Sequence, residues 1–117
     1  MDEILAGAAE LGRRIAASEV FARLRRSESA VQSDKPTHKL LNDFEAQRRR
    51  VEELESSKKP VEVEDKHRMR DLADAVHANP KLQELLRAQA DYLEMMNRIN
   101  RTIQGEMNRD ERPNTEC

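Results

Sequence analysis

Four side chains near the middle of the chain form its most metal-like grouping: His67, Asp71, Asp74 and His77. On a helix the first three share a face, and imidazole with carboxylate is a donor set for a divalent cation. The same helix puts Met69, Leu72, Ala73 and Val76 on the opposite side, at about 100° per residue. The His/Asp face is therefore the solvent side of an amphipathic helix, which carries charge in any case. No metal site is assigned to it.

Arg23, Arg25 and Arg26, then Arg48, Arg49 and Arg50, could meet phosphates. RNA recognition usually adds exposed aromatic side chains or a local basic excess. The first arginine group is expected to point away from Val20, Phe21 and Leu24. In the second, Glu45 precedes Arg49 by four residues, the favourable order for an ion pair. A salt-bridged surface is the preferred reading, and an RNA-binding accessory protein is the alternative. Gln47, Gln89 and Asn100 fall on apolar stripes. They could line a small-molecule pocket, which makes a small helical enzyme a third reading. Polar positions that set helix register or sit at an interface explain them better. Cys117 is the one cysteine, so no disulfide forms within the chain, and a cluster of its own would need more thiolates. The three glycines, Gly7, Gly12 and Gly105, are scattered and make no phosphate loop. No nucleophile–base grouping stands out, and no catalytic residue or cofactor is assigned.

These residues must be carried by helices. Charged residues make up 38% of the 117 and aromatics 3%. Such a composition suits a disordered chain unless its apolar residues are periodic, and here they are. The 21 basic and 23 acidic residues are well mixed, for a net charge of −2. That balance does not suggest a nucleic-acid-binding face. The start lacks a signal-peptide pattern, and no apolar run approaches the ~20 residues of a membrane span. The expected location is the cytoplasm.

Pro36, Pro60, Pro80 and Pro113 divide the chain. A first helix is expected from Asp2 to about Ala17, with Ile4, Leu5, Ala8, Leu11 and Ile15 on one side. Ser18 caps a second, faced by Val20, Phe21, Leu24 and Val31. A third starts near Pro36 and carries Leu40, Leu41, Phe44, Val51 and Leu54. The stretch 56–60 is a loop, and a fourth helix runs from about Glu62 to Ala78. Asn79 and Pro80 begin the fifth as cap and first residue. The expected fold is all-α: a helical bundle of about five helices with a long C-terminal helix. Residues 1–107 form a single helical domain, and 108–117 a flexible polar tail.

The fifth helix carries the strongest pattern. Leu82, Leu86, Gln89, Leu93, Met96, Asn100, Ile103 and Met107 recur at alternating spacings of four and three, beside a second row of Leu85, Tyr92 and Ile99. To Met107 it spans about 42 Å, whereas a compact sphere of this length is only roughly 35 Å across. The helix is hard to bury in one small monomer. Leu82, Leu85, Leu86, Gln89, Tyr92, Leu93, Met96, Ile99, Asn100 and Ile103 are therefore the expected interface, through which helix faces oligomerise.

The order of features resembles the YlbF/YmcA family of small helical bacterial proteins. The resemblance rests on Ile4–Ile15, on Ser18-Glu19-Val20-Phe21, on Asp34–Gln47 and above all on Leu72–Asn100, with its Asn79-Pro80 junction and late Ile99-Asn100 pair. It implies an all-helical bundle forming homo-oligomers, dimers or higher, or hetero-oligomers with a paralogue. It further implies a regulator without catalysis that works through protein partners on ribonuclease-Y-dependent RNA processing, with effects on competence, sporulation or biofilm formation. Some members bind iron–sulfur clusters through cysteines, for which this chain offers only Cys117. No catalytic residue carries over.

Overall fold

A computed structural model of the chain describes residues 1–109. They form five helices: α1 (Asp2–Ala16), α2 (Glu19–Ser33), α3 (Lys35–Ser56), α4 (Val63–Ala78) and α5 (Pro80–Arg109). No strand occurs among the described residues. The boundaries lie close to those the sequence predicts. α5 takes in Asn108 and Arg109 from the segment read as a tail, and the rest of that segment, Cys117 included, lies outside the described residues.

Local chemistry explains where each helix begins. Ser18 Oγ accepts from the Phe21 N–H at 3.2 Å, capping α2, and donates to the Ile15 carbonyl at 2.6 Å, so one hydroxyl satisfies both sides of the α1–α2 turn. Asn79 Oδ1 accepts from the N–H groups of Lys81 and Leu82 at 3.0 and 3.1 Å, and Pro80 follows as the first residue of α5. α3 ends when Lys58 takes a left-handed φ of 58°. The Lys59 N–H then bonds back to the Leu54 carbonyl at 2.8 Å, closing the last turn.

α2 packs antiparallel along α5, and this is the most extensive contact in the molecule. The start of α2 meets Met95 through Ser18, and its end meets Lys81 through Asp34. α3 and α4 form a hairpin against the first half of α5. The core is small: Leu24 and Val31 of α2, Val76 of α4, and Leu82, Leu85 and Ala88 of α5. Leu40, Leu41, Phe44 and Tyr92 pack around it half-buried. Phe21 and Tyr92 add a tilted ring pair with centroids 6.0 Å apart.

α1 is different. It touches the rest of the chain only through α2, and none of its residues is buried. The molecule is accordingly elongated, 63 × 37 × 27 Å, with a radius of gyration of 20.5 Å. A compact domain of this length would have about 13 Å.

Candidate protein-interaction surface

α5 is one unbroken helix of 30 residues. Its first half is spent on the core: Leu82 is 1% exposed and Leu85 4%. These two expected interface residues are used within the chain. Tyr92, Met96 and Ile99 are half-buried. Leu86, Gln89, Leu93, Asn100 and Ile103 are open to solvent, as is Met107. Leu93 is 59% exposed and Met107 61%. The stripe therefore divides by position. Full burial is confined to the part that α2, α3 and α4 surround; from Leu93 onward no stripe residue is fully buried.

Charge divides around the helix and not along it. Between Leu82 and Gly105 the charged residues are Glu84, Arg87, Asp91, Glu94, Arg98 and Arg101. At about 100° per residue they fall within an arc of roughly 100°, leaving the remainder of the helix surface uncharged. Near the α2 side of this arc, Arg23 bonds Glu84 and Asp91, each at 2.6 Å. The pairing clamps α2 to α5 and satisfies both carboxylates.

α1 and the second half of α5 diverge from the α1–α2 turn and enclose an open trough of about 630 Å³. Leu11, Val20, Met95, Ile99 and Ile103 line it with apolar surface, and Asp91, Glu94, Arg98 and Thr102 line it with polar groups, so its α5 wall lies largely on the charged arc. Ile4 and Leu5, further along α1, are 70% and 58% exposed. Sequence reading missed this trough. The signal was the amphipathic face of α1, whose helix was expected but whose isolation was not.

Arg23, Arg25, Arg26 and Arg50 are in ion pairs, as a salt-bridged surface requires, but not all point as expected. Arg23 faces α5, as above, and the Arg25 guanidinium lies 5.2 Å over the Phe21 ring, so two of the three α2 arginines turn toward apolar or acidic neighbours. The reason is reach: a long side chain flanking an apolar stripe can lie along it and end on a carboxylate or a ring. In the second group Arg50 bonds Asp65 of α4 at 2.9 Å.

The polar stripe residues separate. Gln47 is buried and donates to the Asp65 carbonyl and carboxylate at 3.1 and 3.3 Å, fastening α3 to the start of α4. Arg50 and then Gln47 hold the Asp65 carboxyl below its ordinary range by hydrogen bonding. Gln89 instead lines a groove between α3, α4 and α5, of about 220 Å³, together with Leu41, Phe44, Val76, Leu82 and Leu85. Gln47 does not line that groove, so the two glutamines form no common pocket. Asn100 is exposed on α5.

A second polar network was not foreseen. Buried Thr37 donates to Asp34 at 2.7 Å and accepts from the Asn79 amide at 3.2 Å, while Lys81 reaches Asp34 at 3.1 Å. The start of α3 is thereby tied to the start of α5. Thr37 first, then Lys81, keep the Asp34 carboxyl below its usual value. His67, Asp71, Asp74 and His77 are exposed on α4, and among the described residues no three His, Cys, Asp or Glu side chains gather as a metal site. No helix is long and apolar enough to cross a membrane among the described residues.

Comparison with known proteins agrees with this architecture. A family model described as control of competence regulator ComK, YlbF/YmcA, matches residues 4–108. The fold is similar to that of a protein of unknown function (DUF964) from Bacillus stearothermophilus, with a TM-score of 0.78 at 17% identity, covering 97% of this chain and 99% of that one. It is also similar to a chain from the structure of Bacillus subtilis RicA in complex with RicF. That match has a TM-score of 0.77 at 17% identity and covers 94% of this chain and 97% of that one. No curated protein matches the chain.

Proposed function

Because the chain belongs to the YlbF/YmcA family, whose description is control of the competence regulator ComK, we propose that it is a non-catalytic cytoplasmic regulator that acts by binding protein chains through the open half of α5. One observation carries this reading. An unbroken helix extends past its own core with Leu93 and Ile103 exposed and the charges from Glu84 to Arg101 turned to the other side. Lone apolar side chains on a surface need no explanation, but a continuous uncharged stripe is what interface cores look like. The interface residues proposed are Leu86, Gln89, Tyr92, Leu93, Met96, Ile99, Asn100 and Ile103. The assembly is a homo-oligomer or a complex with a paralogue, and the RicA structure, which contains RicF, is a precedent for the second form. The regulated step, as the family resemblance implies, is ribonuclease-Y-dependent RNA processing.

Leu93→Asp tests the reading. The position is exposed in the single chain, so a carboxylate there leaves the fold intact while placing an unpaired charge in the seam. Light scattering should give an assembly for the natural protein and a single-chain mass for the variant, with equal helix content by circular dichroism. An unchanged mass for the variant would mean that the stripe is not the interface.

A further inference from the structure

We propose that the groove between α3, α4 and α5 binds a free apolar α-amino acid such as leucine or phenylalanine, whose side chain enters the groove while Arg48 takes its α-carboxylate and Glu45 its α-ammonium. The inference does not rest on the interface reading above, although Leu86 and Gln89 belong to both surfaces.

The apolar lining sets the body of the ligand. Leu41, Phe44, Val76, Leu82, Leu85 and Leu86 give the groove its apolar surface. Val76, Leu82 and Leu85 are core residues, so the groove reaches the core, whereas Leu86 is 44% exposed. Water in such a space finds few hydrogen-bond partners, and an apolar group that displaces it gains affinity. At the ~30 Å³ of each molecule in liquid water, 220 Å³ holds roughly seven waters. That is room for one branched or aromatic side chain, below the ~300–1,000 Å³ of sites for drug-sized ligands.

The polar lining sets the charge of the ligand. Glu45 and Arg48 of α3, His77 of α4 and Gln89 of α5 line the same groove. Between the other helices polar side chains are partnered: Gln47 with Asp65, Asp65 with Arg50, Thr37 with Asn79, Arg23 with Glu84. Among the described residues α3 makes its ion pairs through Lys39 with Asp43 and Arg50 with Asp65. Glu45 is spaced along the helix to pair with Arg48 or Arg49, and among the described residues it pairs with neither. Glu45 and Arg48 stand one turn apart, with the ~5–6 Å between Cβ atoms usual for such neighbours. One small zwitterion can therefore reach both. An anion alone would meet the Glu45 carboxylate and a cation alone the Arg48 guanidinium; an α-amino acid answers each with its opposite. The guanidinium offers a carboxylate two parallel donors. The His77 ring and the Gln89 amide are further hydrogen-bonding groups for the ligand's polar end.

The test is an amide-proton NMR titration of the full chain with L-leucine, L-phenylalanine and glycine. Leucine or phenylalanine should shift the groove residues saturably, with a dissociation constant of about 1 mM or tighter, and glycine should not. The tighter ligand is then compared with its amide, its N-acetyl form and its N-acetyl amide, which lack the carboxylate, the ammonium or both. Each should bind at least about threefold more weakly. Arg48→Gln should weaken the amino acid by a similar factor and leave its amide unaffected; Glu45→Gln should weaken the amino acid and leave its N-acetyl form unaffected. Both positions lie outside the core, so the variants keep the fold, which the same spectra check. No saturable shift with either amino acid overturns the site. So does an N-acetyl amide that binds as tightly as the amino acid, or an affinity indifferent to Arg48→Gln, because the groove would then take an apolar side chain of a protein chain. Light scattering without ligand decides the interface reading separately.

Discussion

At the residue scale, two aspartates tie the helices together through neighbouring donors. Asp65 takes Arg50 and Gln47, and Asp34 takes Thr37 and Lys81. Both carboxyls are held below their ordinary range in the folded chain, whereas an unfolded aspartate titrates near 3.9. A depressed folded value makes the linkage run one way: the stabilisation is fully present above the unfolded value and is lost as pH falls through the folded one. Urea midpoints should therefore be level from neutral pH down to about 5 and then decline. Asp65→Asn should flatten part of that decline, because the titrating group is gone. Equal losses in variant and natural protein would assign the acid sensitivity elsewhere. Gln47 was readable as a polar residue on an apolar stripe. That it serves Asp65 and not a ligand was not readable, because its acceptor stands eighteen residues away across a loop.

At the scale of elements, the junctions were the most legible features. Ser18 and Asn79 cap the helices their sequence neighbours predict, because capping involves only the next three residues. Asn79 does more than cap: its amide also serves Thr37 on α3. Asn79→Ala removes the two cap bonds and the bond to Thr37, and leaves a buried hydroxyl oxygen with one fewer donor. We expect a loss of about 1–2 kcal/mol in denaturant unfolding, at the upper end for a helix cap. A loss of only a few tenths would mean that the link to Thr37 contributes nothing. Arg23 shows the opposite case. Glu84 and Asp91 lie two turns apart on α5, a spacing visible in the sequence. What lies opposite that pair depends on α2 returning along α5, which no local pattern states.

At the scale of the whole molecule, the elongated shape couples stability to association. A modest core supports one end, while α1 and the second half of α5 have apolar side chains left exposed, Ile4, Leu5, Leu93, Ile103 and Met107 among them. If a second chain covers those side chains, assembly adds to folding stability by mass action. The melting temperature of the natural protein should then rise with its concentration, and that of Leu93→Asp should not. Calorimetry over a hundredfold range of concentration, about 2.7 kcal/mol in mass-action terms, measures the difference. A melting temperature independent of concentration in both proteins would place all of the stability within the single chain.

The sequence by itself determined the helices: their number, their starts and the charge-free stripe of α5. Periodicity, caps and proline positions act over a few residues, and those rules were enough. Tertiary structure alone decided how that stripe is divided. Leu82 and Leu85 turn into the core because α2, α3 and α4 gather around the first half of α5, while Leu93 and Ile103 stay open because no helix of the chain runs along their face of the second half. The physical reason is that a helix pattern records which face is apolar, and only packing between distant segments settles what lies against each part of it.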